Sequence, residues 1–223
     1  MKARTGWLIG TAVAAIAVYT LMWAGCAWHW TWQAELDASM LEPLHRVGAA
    51  HPGWVTGWNV FCTVLGPAAF RLATLVVIIG ALVRRNVRVA LFLIASVELS
   101  AVITEIAKAS VDRPRPATAL VTAYGSSFPS GHALGVTVSV LALLAVVFPV
   151  LRPGGRVWAV AVGVTVIVLI GLSRVVLNVH HPSDVIAGWA LGYAYAALCL
   201  LVVPPLRPVT QSDETPAVAD SAR

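Results

Sequence analysis

The sequence predicts an all-α integral membrane protein, a bundle of six transmembrane helices with both termini cytoplasmic. Three observations predict it. Hydrophobic residues make up 59% of the 223-residue chain and charged residues only 11%, with a mean hydropathy of +0.83, outside the range of water-soluble domains. The apolar residues gather into six runs, at 7–28, 58–83, 89–111, 132–151, 157–177 and 185–203, each about the 20 residues that a helix needs to cross a bilayer. Lys and Arg concentrate in alternate connections, which the positive-inside rule places in the cytoplasm. Helices are expected because lipid offers an open backbone no hydrogen-bond partner.

The first run follows Lys2 and Arg4 and ends near Ala24-Gly25-Cys26, which faintly resembles a lipoprotein cleavage site. The run is longer than a signal core and Trp23 fits poorly upstream of that site, so a retained helix is expected. The connection at 29–57 is long. Trp28, Trp30, Trp32, Trp54 and Trp58 surround it, and it carries Glu35, Asp37, Glu42 and His45. Residues 34–47 read as a short amphipathic helix on the bilayer surface, and the tryptophans as an interfacial belt; a second reading has part of this loop lid a site and help choose its lipid. The second run stops at Arg84, Arg85 and Arg88, the fourth and fifth are joined through Arg152 and Arg156, and Arg207 follows the sixth. Residues 1–203 are expected to form one domain. Residues 204–223, with their prolines, Ser, Thr, Asp and Glu, are expected to be a disordered cytoplasmic tail. Cys26, Cys62 and Cys199 stand in apolar surroundings and read as buried free thiols.

Ionisable groups inside lipid-spanning runs need partners. Glu98 and Glu105 are seven residues apart and share a face of a regular helix, so Glu105 is expected to pair with Lys108 and Glu98 with Arg71. The other exceptions stand on the side that should be poor in positive charge, where Lys108, Arg113, Arg115 and Arg174 lie. With six spans, the end of the third, the start of the fourth, the end of the fifth and the start of the sixth all emerge there, so one outward-facing pocket can gather them.

Lys108 ends the third run, where a cation suits the helix dipole. Asp112-Arg113-Pro114-Arg115-Pro116 then runs out in a proline-stiffened path that can hold Arg115 over a site, while Arg113 reads as an interfacial, snorkelling cation. Pro129-Ser130-Gly131-His132 leads into the fourth run. Ser130 is a candidate N-cap, Gly131 permits close backbone approach, and free amides at such a helix start bind anions. His132 stands in the first turn, within reach of a docked anion. Arg174 ends the fifth run, and His180 and Asp184 flank the start of the sixth. A carboxylate there can take the proton on one imidazole nitrogen and leave the other neutral and nucleophilic. His181 has no such partner in the pattern and reads as a turn residue.

These residues spell Lys-x6-Arg-Pro at Lys108, Arg115 and Pro116, Pro-Ser-Gly-His at 129–132, and Ser-Arg-x5-His-x3-Asp at 173–184. The set is similar to the signature of the type 2 phosphatidic acid phosphatase superfamily, matched without a gap across about a third of the chain. The resemblance implies a membrane lipid phosphatase. His180 is then the nucleophile that forms a phosphohistidine, Asp184 orients it, and His132 protonates the leaving oxygen. Lys108, Arg115, Arg174, Ser130 and the amide of Gly131 hold the phosphate oxygens. Phosphoryl transfer needs mainly positioning and charge stabilisation, and three fixed cations can supply both with no cofactor or metal. His29, His45 and His51 lack the spacing of a metal site. The expected partners are the bilayer and a lipid phosphate or diphosphate: undecaprenyl diphosphate, phosphatidic acid or phosphatidylglycerophosphate. No nucleic acid is expected, and no feature of the sequence sets an oligomeric state. Transfer of the phosphoryl group to another lipid or a sugar uses the same residues. A non-enzymatic lipid-binding or transport protein would be expected to have lost part of the triad, and a vanadate-dependent haloperoxidase, which resembles the same motifs, does not suit six spans.

Overall fold

A computed structural model describes residues 2–205 of the chain. The tail expected at 204–223 lies outside the described residues from position 206 onward. The described residues are helical with no strand. In order they form α1 (Lys2–Ala27), α2 (Thr31–Ala50), α3 (Pro52–Val64), α4 (Pro67–Val83), α5 (Val87–Leu93), a π turn at Ile94–Glu98, α6 (Ser100–Lys108), α7 (Gly131–Val147), α8 (Pro153–Val176) and α9 (Pro182–Val202). Six helical stretches are long and apolar enough to cross a membrane: Thr5–Ala27, Pro52–Val83, Val87–Lys108, Gly131–Val150, Pro153–Val176 and Pro182–Val202. Local chemistry marks their starts. Pro52, Pro67, Pro153 and Pro182 open α3, α4, α8 and α9, where the missing N–H costs nothing. The Asn86 side chain accepts the Val89 amide at 3.3 Å to cap α5.

α7 stands in the middle, touching α4, α5, α6, α8 and α9, while α1 packs on the far side of α9. Half of the α7 span is buried inside the protein against 17% of the first span, so α7 is the axis and α1 the rim. Lipid-facing positions such as Val13, Val76, Val83 and Val162 are exposed and apolar, as a bilayer solvent requires. The α7–α9 contact is made by absent side chains. A Cβ on Gly188 would stand 2.7 Å from the Ser130 carbonyl oxygen, and one on Gly192 2.8 Å from that of Leu134. This is the small-residue packing by which membrane helices approach backbone to backbone.

Two spans differ from the regular helices expected. The second is broken between α3 and α4, because Pro67 cannot donate to the preceding turn and Gly66 is extended, with ψ of 179°. Gly66 is packed so that a Cβ would lie 2.4 Å from the Cys62 carbonyl. The third carries the π turn at Ile94–Glu98. Its extra residue rotates Glu98 off the face that a continuous helix would share with Glu105. Glu105 pairs with Lys108 at 3.6 Å as expected. The expected Glu98–Arg71 pair is absent among the described residues, and the buried Oε1 of Glu98 has no hydrogen-bond partner. The helix expected at 34–47 is α2, longer by a turn or less at each end.

Candidate active site

The N-terminal ends of α7 and α9, the C-terminal ends of α6 and α8, and the segment 109–130 between α6 and α7 meet at one end of the bundle. Ser130 caps α7 by accepting the Ala133 amide at 3.4 Å. Its own amide donates to the Asp184 carbonyl at 2.9 Å, which ties the start of α7 to the start of α9. The amides of Gly131 and His132 are the first two of α7 and have no intrahelical carbonyl to meet. Gly131 is needed for proximity, since a Cβ there would press on the Thr104 methyl at 3.1 Å.

His180 is buried on the turn between α8 and α9. Its Nδ1 lies 2.7 Å from the Ser127 carbonyl oxygen and 3.6 Å from Asp184 Oδ2. A carbonyl only accepts, so Nδ1 carries the proton and Nε2 keeps its lone pair. The shorter contact belongs to Ser127, a residue outside every motif, while Asp184 supplies charge at the longer distance. Nε2 faces Arg115 Nη1 at 3.2 Å. Burial, with the added repulsion of Arg174 and Arg115, pushes the His180 pKa down to about 4 against the pull of Asp184. The ring is therefore neutral at physiological pH.

The three predicted cations are held differently. Arg115 Nη2 donates to the Tyr124 carbonyl at 2.8 Å and Nη1 to that of Val179 at 2.7 Å. Burial and the nearby Arg174 lower its pKa, with Asp184 opposing. Arg174 is 7% exposed; among the described residues its one acceptor is the Cys62 sulfur at 3.1 Å, and its Nε has none. Lys108 reaches only Glu105. His132 lies within electrostatic reach of Arg174, His180, Arg115 and Lys108, and its ring edge packs against Gly66 at the α3–α4 break. His180, His132, Lys108, Arg115, Arg174, Ser130 and Gly131 thus stand around one region.

Two expectations are corrected here. Arg113 does not snorkel: its guanidinium lies between Asp184 Oδ1 at 2.5 Å and Asp37 Oδ2 at 2.7 Å. Those two carboxylates hold its pKa up although burial opposes them. Carboxylates on two different helices, Asp37 of α2 and Asp184 of α9, draw this guanidinium inward from the interface. His181 is likewise more than a turn residue, since its amide and its Nδ1 both donate to Asp184 Oδ2, at 2.8 and 3.2 Å. Its place three residues before Asp184 makes it the N-cap of α9.

The sequence pattern missed Asp37, Ser127, Cys62 and Gly66. Asp37 left a trace: it stands with Gln33 and Leu41 at four-residue spacing, and all three are buried on one face of α2. Three tryptophans run in sequence, with ring centroids 6.0 Å apart from Trp28 to Trp30 and again from Trp30 to Trp32. Trp28, Trp32 and Trp54 are exposed, as an interfacial belt requires. Among the described residues no three His, Cys, Asp or Glu side chains gather into a metal-binding group.

The family model described as the PAP2 superfamily matches residues 89–208. The chain is similar to an undecaprenyl-diphosphatase of Sulfolobus acidocaldarius, 32% identical over 116 residues, covering 49% of this chain and 52% of that protein. It is also similar to phosphatidylglycerophosphatase B of Bacillus subtilis, 33% identical over 145 residues, 62% of this chain and 70% of that protein. The matched part thus spans about half the length of the archaeal relative. The crystal structure of a transmembrane PAP2-type phosphatidylglycerolphosphate phosphatase from Bacillus subtilis superposes with a TM-score of 0.78 and 20% identity, covering 90% of this chain and 99% of that one. That likeness shows a shared fold.

Proposed function

The chain belongs to the PAP2 superfamily, and from that premise we propose that it is a membrane lipid phosphatase acting through a phosphohistidine, without a metal, at the outer face of the membrane. The observation that carries the proposal is the state of Arg174, a buried guanidinium with one thiol acceptor and an unfilled Nε, close enough to His132 and His180 to act on their charge. Donors left open in a buried site suit an anion that arrives later.

The substrate phosphoryl group is held by Arg174, Arg115 and Lys108, with Ser130 and the free amides at the start of α7. His180 Nε2 attacks phosphorus; an N–P bond forms as the bond from phosphorus to the lipid oxygen breaks. His132 gives its proton to that oxygen. The Ser127 carbonyl, with Asp184 behind it, steadies the positive charge on the His180 ring. His132, now neutral, takes a proton from water; the hydroxide oxygen bonds to phosphorus, the N–P bond breaks, and phosphate leaves with His180 restored.

Arg84, Arg85, Arg88, Arg152 and Arg156 lie at the end of the bundle away from the site, which supports an outward-facing site and cytoplasmic termini. The names of the relatives support a lipid carrying a terminal phosphate or diphosphate, and undecaprenyl diphosphate and phosphatidylglycerophosphate lead as substrates. The deciding experiment is release of inorganic phosphate by the purified full-length protein in detergent from undecaprenyl diphosphate, phosphatidic acid and phosphatidylglycerophosphate, with chelator present and His180→Ala as control. Release from one or more, lost in the variant, is the expected result. Activity that chelator abolishes and magnesium restores would sink the metal-free reading. A folded protein that releases no phosphate but phosphorylates a supplied acceptor lipid is a phosphotransferase.

A further inference from the structure

The proposed chemistry leaves Arg113 and Asp37 without a task, yet both are withdrawn from solvent and lie directly behind Asp184. Asp37 Oδ1 accepts the Ser183 amide at 2.9 Å and its Oδ2 accepts the Ser183 hydroxyl at 2.7 Å, so a residue of α2 holds the first turn of α9. Arg113 Nη1 reaches the same hydroxyl at 2.7 Å as well as Asp184. Asp37 and Asp184 are 3% and 0% exposed at their side chains. Charges of alternating sign thus run from α2 through Asp37, Arg113 and Asp184 to His180. An isolated buried carboxylate beside the nucleophile would draw a proton onto the imidazole; one shared with a guanidinium draws it less.

We propose that Arg113 and Asp37 are positioning residues of the catalytic centre, which fix the place and charge of Asp184 and through it the proton affinity of His180. The proposal rests on reading His180 as the nucleophile. The groups that face His180 are Asp184 of α9, Arg115 of the outer segment, Arg174 of α8 and His132 of α7. Arg113, Asp37 and His181 stand behind Asp184. The relay makes the two substitutions act in opposite directions. Arg113→Gln removes a positive charge and strengthens the hold of Asp184 on a proton at His180; Asp37→Asn removes a negative charge, keeps an acceptor of the same shape, and weakens that hold.

The test uses the full-length chain in detergent micelles with nitrogen-labelled histidine, the His180 signal being identified by its loss in His180→Gln. The titration midpoint of His180 is expected to rise by about one pH unit in Arg113→Gln and to fall by about half a unit in Asp37→Asn. In the same variants kcat on the lipid substrate is expected to fall about tenfold or more, with KM within about threefold of the parent. If Arg113→Gln fails to fold, the near-isosteric Asp37→Asn still reports the sign. Midpoints that stay put in folded variants, or that move together, overturn the relay. Midpoints that move apart in a protein that hydrolyses no lipid leave the relay standing and overturn the proposed function instead.

Discussion

Arg113 and Arg174 both carry largely buried guanidinium groups at the same end of the bundle, yet Arg113 meets two carboxylates and a hydroxyl while Arg174 meets a single thiol. A buried arginine whose donors are all taken has little left for a ligand and serves the protein that surrounds it. One whose donors stay open is poorly satisfied when the site is empty and gains most when an anion docks. Arg115 lies between these cases, since its carbonyl partners are neutral and can be exchanged for phosphate oxygens. In this molecule, internal satisfaction separates Arg113, whose donors are taken by carboxylates, from Arg174 and Arg115, which under the proposed function receive the phosphate.

Substitutions can break or sharpen that contrast. The largest effect belongs to the histidines on the open side: His180→Ala should abolish phosphate release, and His132→Ala should lower kcat by about 10²–10⁴-fold, both measured on protein with unchanged helical circular dichroism. Arg174→Gln should lower kcat/KM by about 10²–10³-fold, the range seen when one charge-stabilising donor is lost, with little change in unfolding midpoint. Arg113→Gln should do the reverse in emphasis, costing about 3 kcal/mol of stability by leaving two buried carboxylates unpaired, read by denaturant titration in detergent. Equal losses of stability in the two variants would erase the distinction.

A smaller effect is expected in the pH profile. His180 is neutral above about pH 4, so on the acid side kcat/KM should stay level with respect to the nucleophile until pH approaches that value. Because Arg115 helps to hold that midpoint down, Arg115→Gln should move the acid limb to higher pH; a shift to lower pH contradicts the assigned geometry. The smallest effect is expected at Glu105, whose contact with Lys108 is 3.6 Å long and 74% exposed on the glutamate side. Glu105→Gln should change turnover by less than about threefold, since exposed ion pairs contribute little.

The six spans were legible because hydropathy and the placement of Lys and Arg are summed properties that survive local irregularities. The break at Gly66 and the π turn at 94–98 were not legible as such, being decided by packing against α7. Their signs in the sequence, a Gly-Pro pair and a glutamate within an apolar run, are ambiguous alone. The motifs named the groups now found around one region, because each stands at or beside a helix end and the topology brings those ends together. The clamp was hidden for a different reason. Asp37 and Arg113 are 76 residues apart, on segments with no shared periodicity, and their pairing becomes visible only when α2 lies over the start of α9. The Ser127 carbonyl was hidden more deeply still, since a backbone oxygen has no identity in a sequence.

Gly188 and Gly192 bring the α9 backbone against the Ser130 and Leu134 carbonyls, and the turn that carries His180 leads directly into α9. A methyl group at position 188 would push the first turn of α7 away from α9. The spacing between the two halves of the site is therefore gauged by hydrogen atoms on residues that have no functional group of their own.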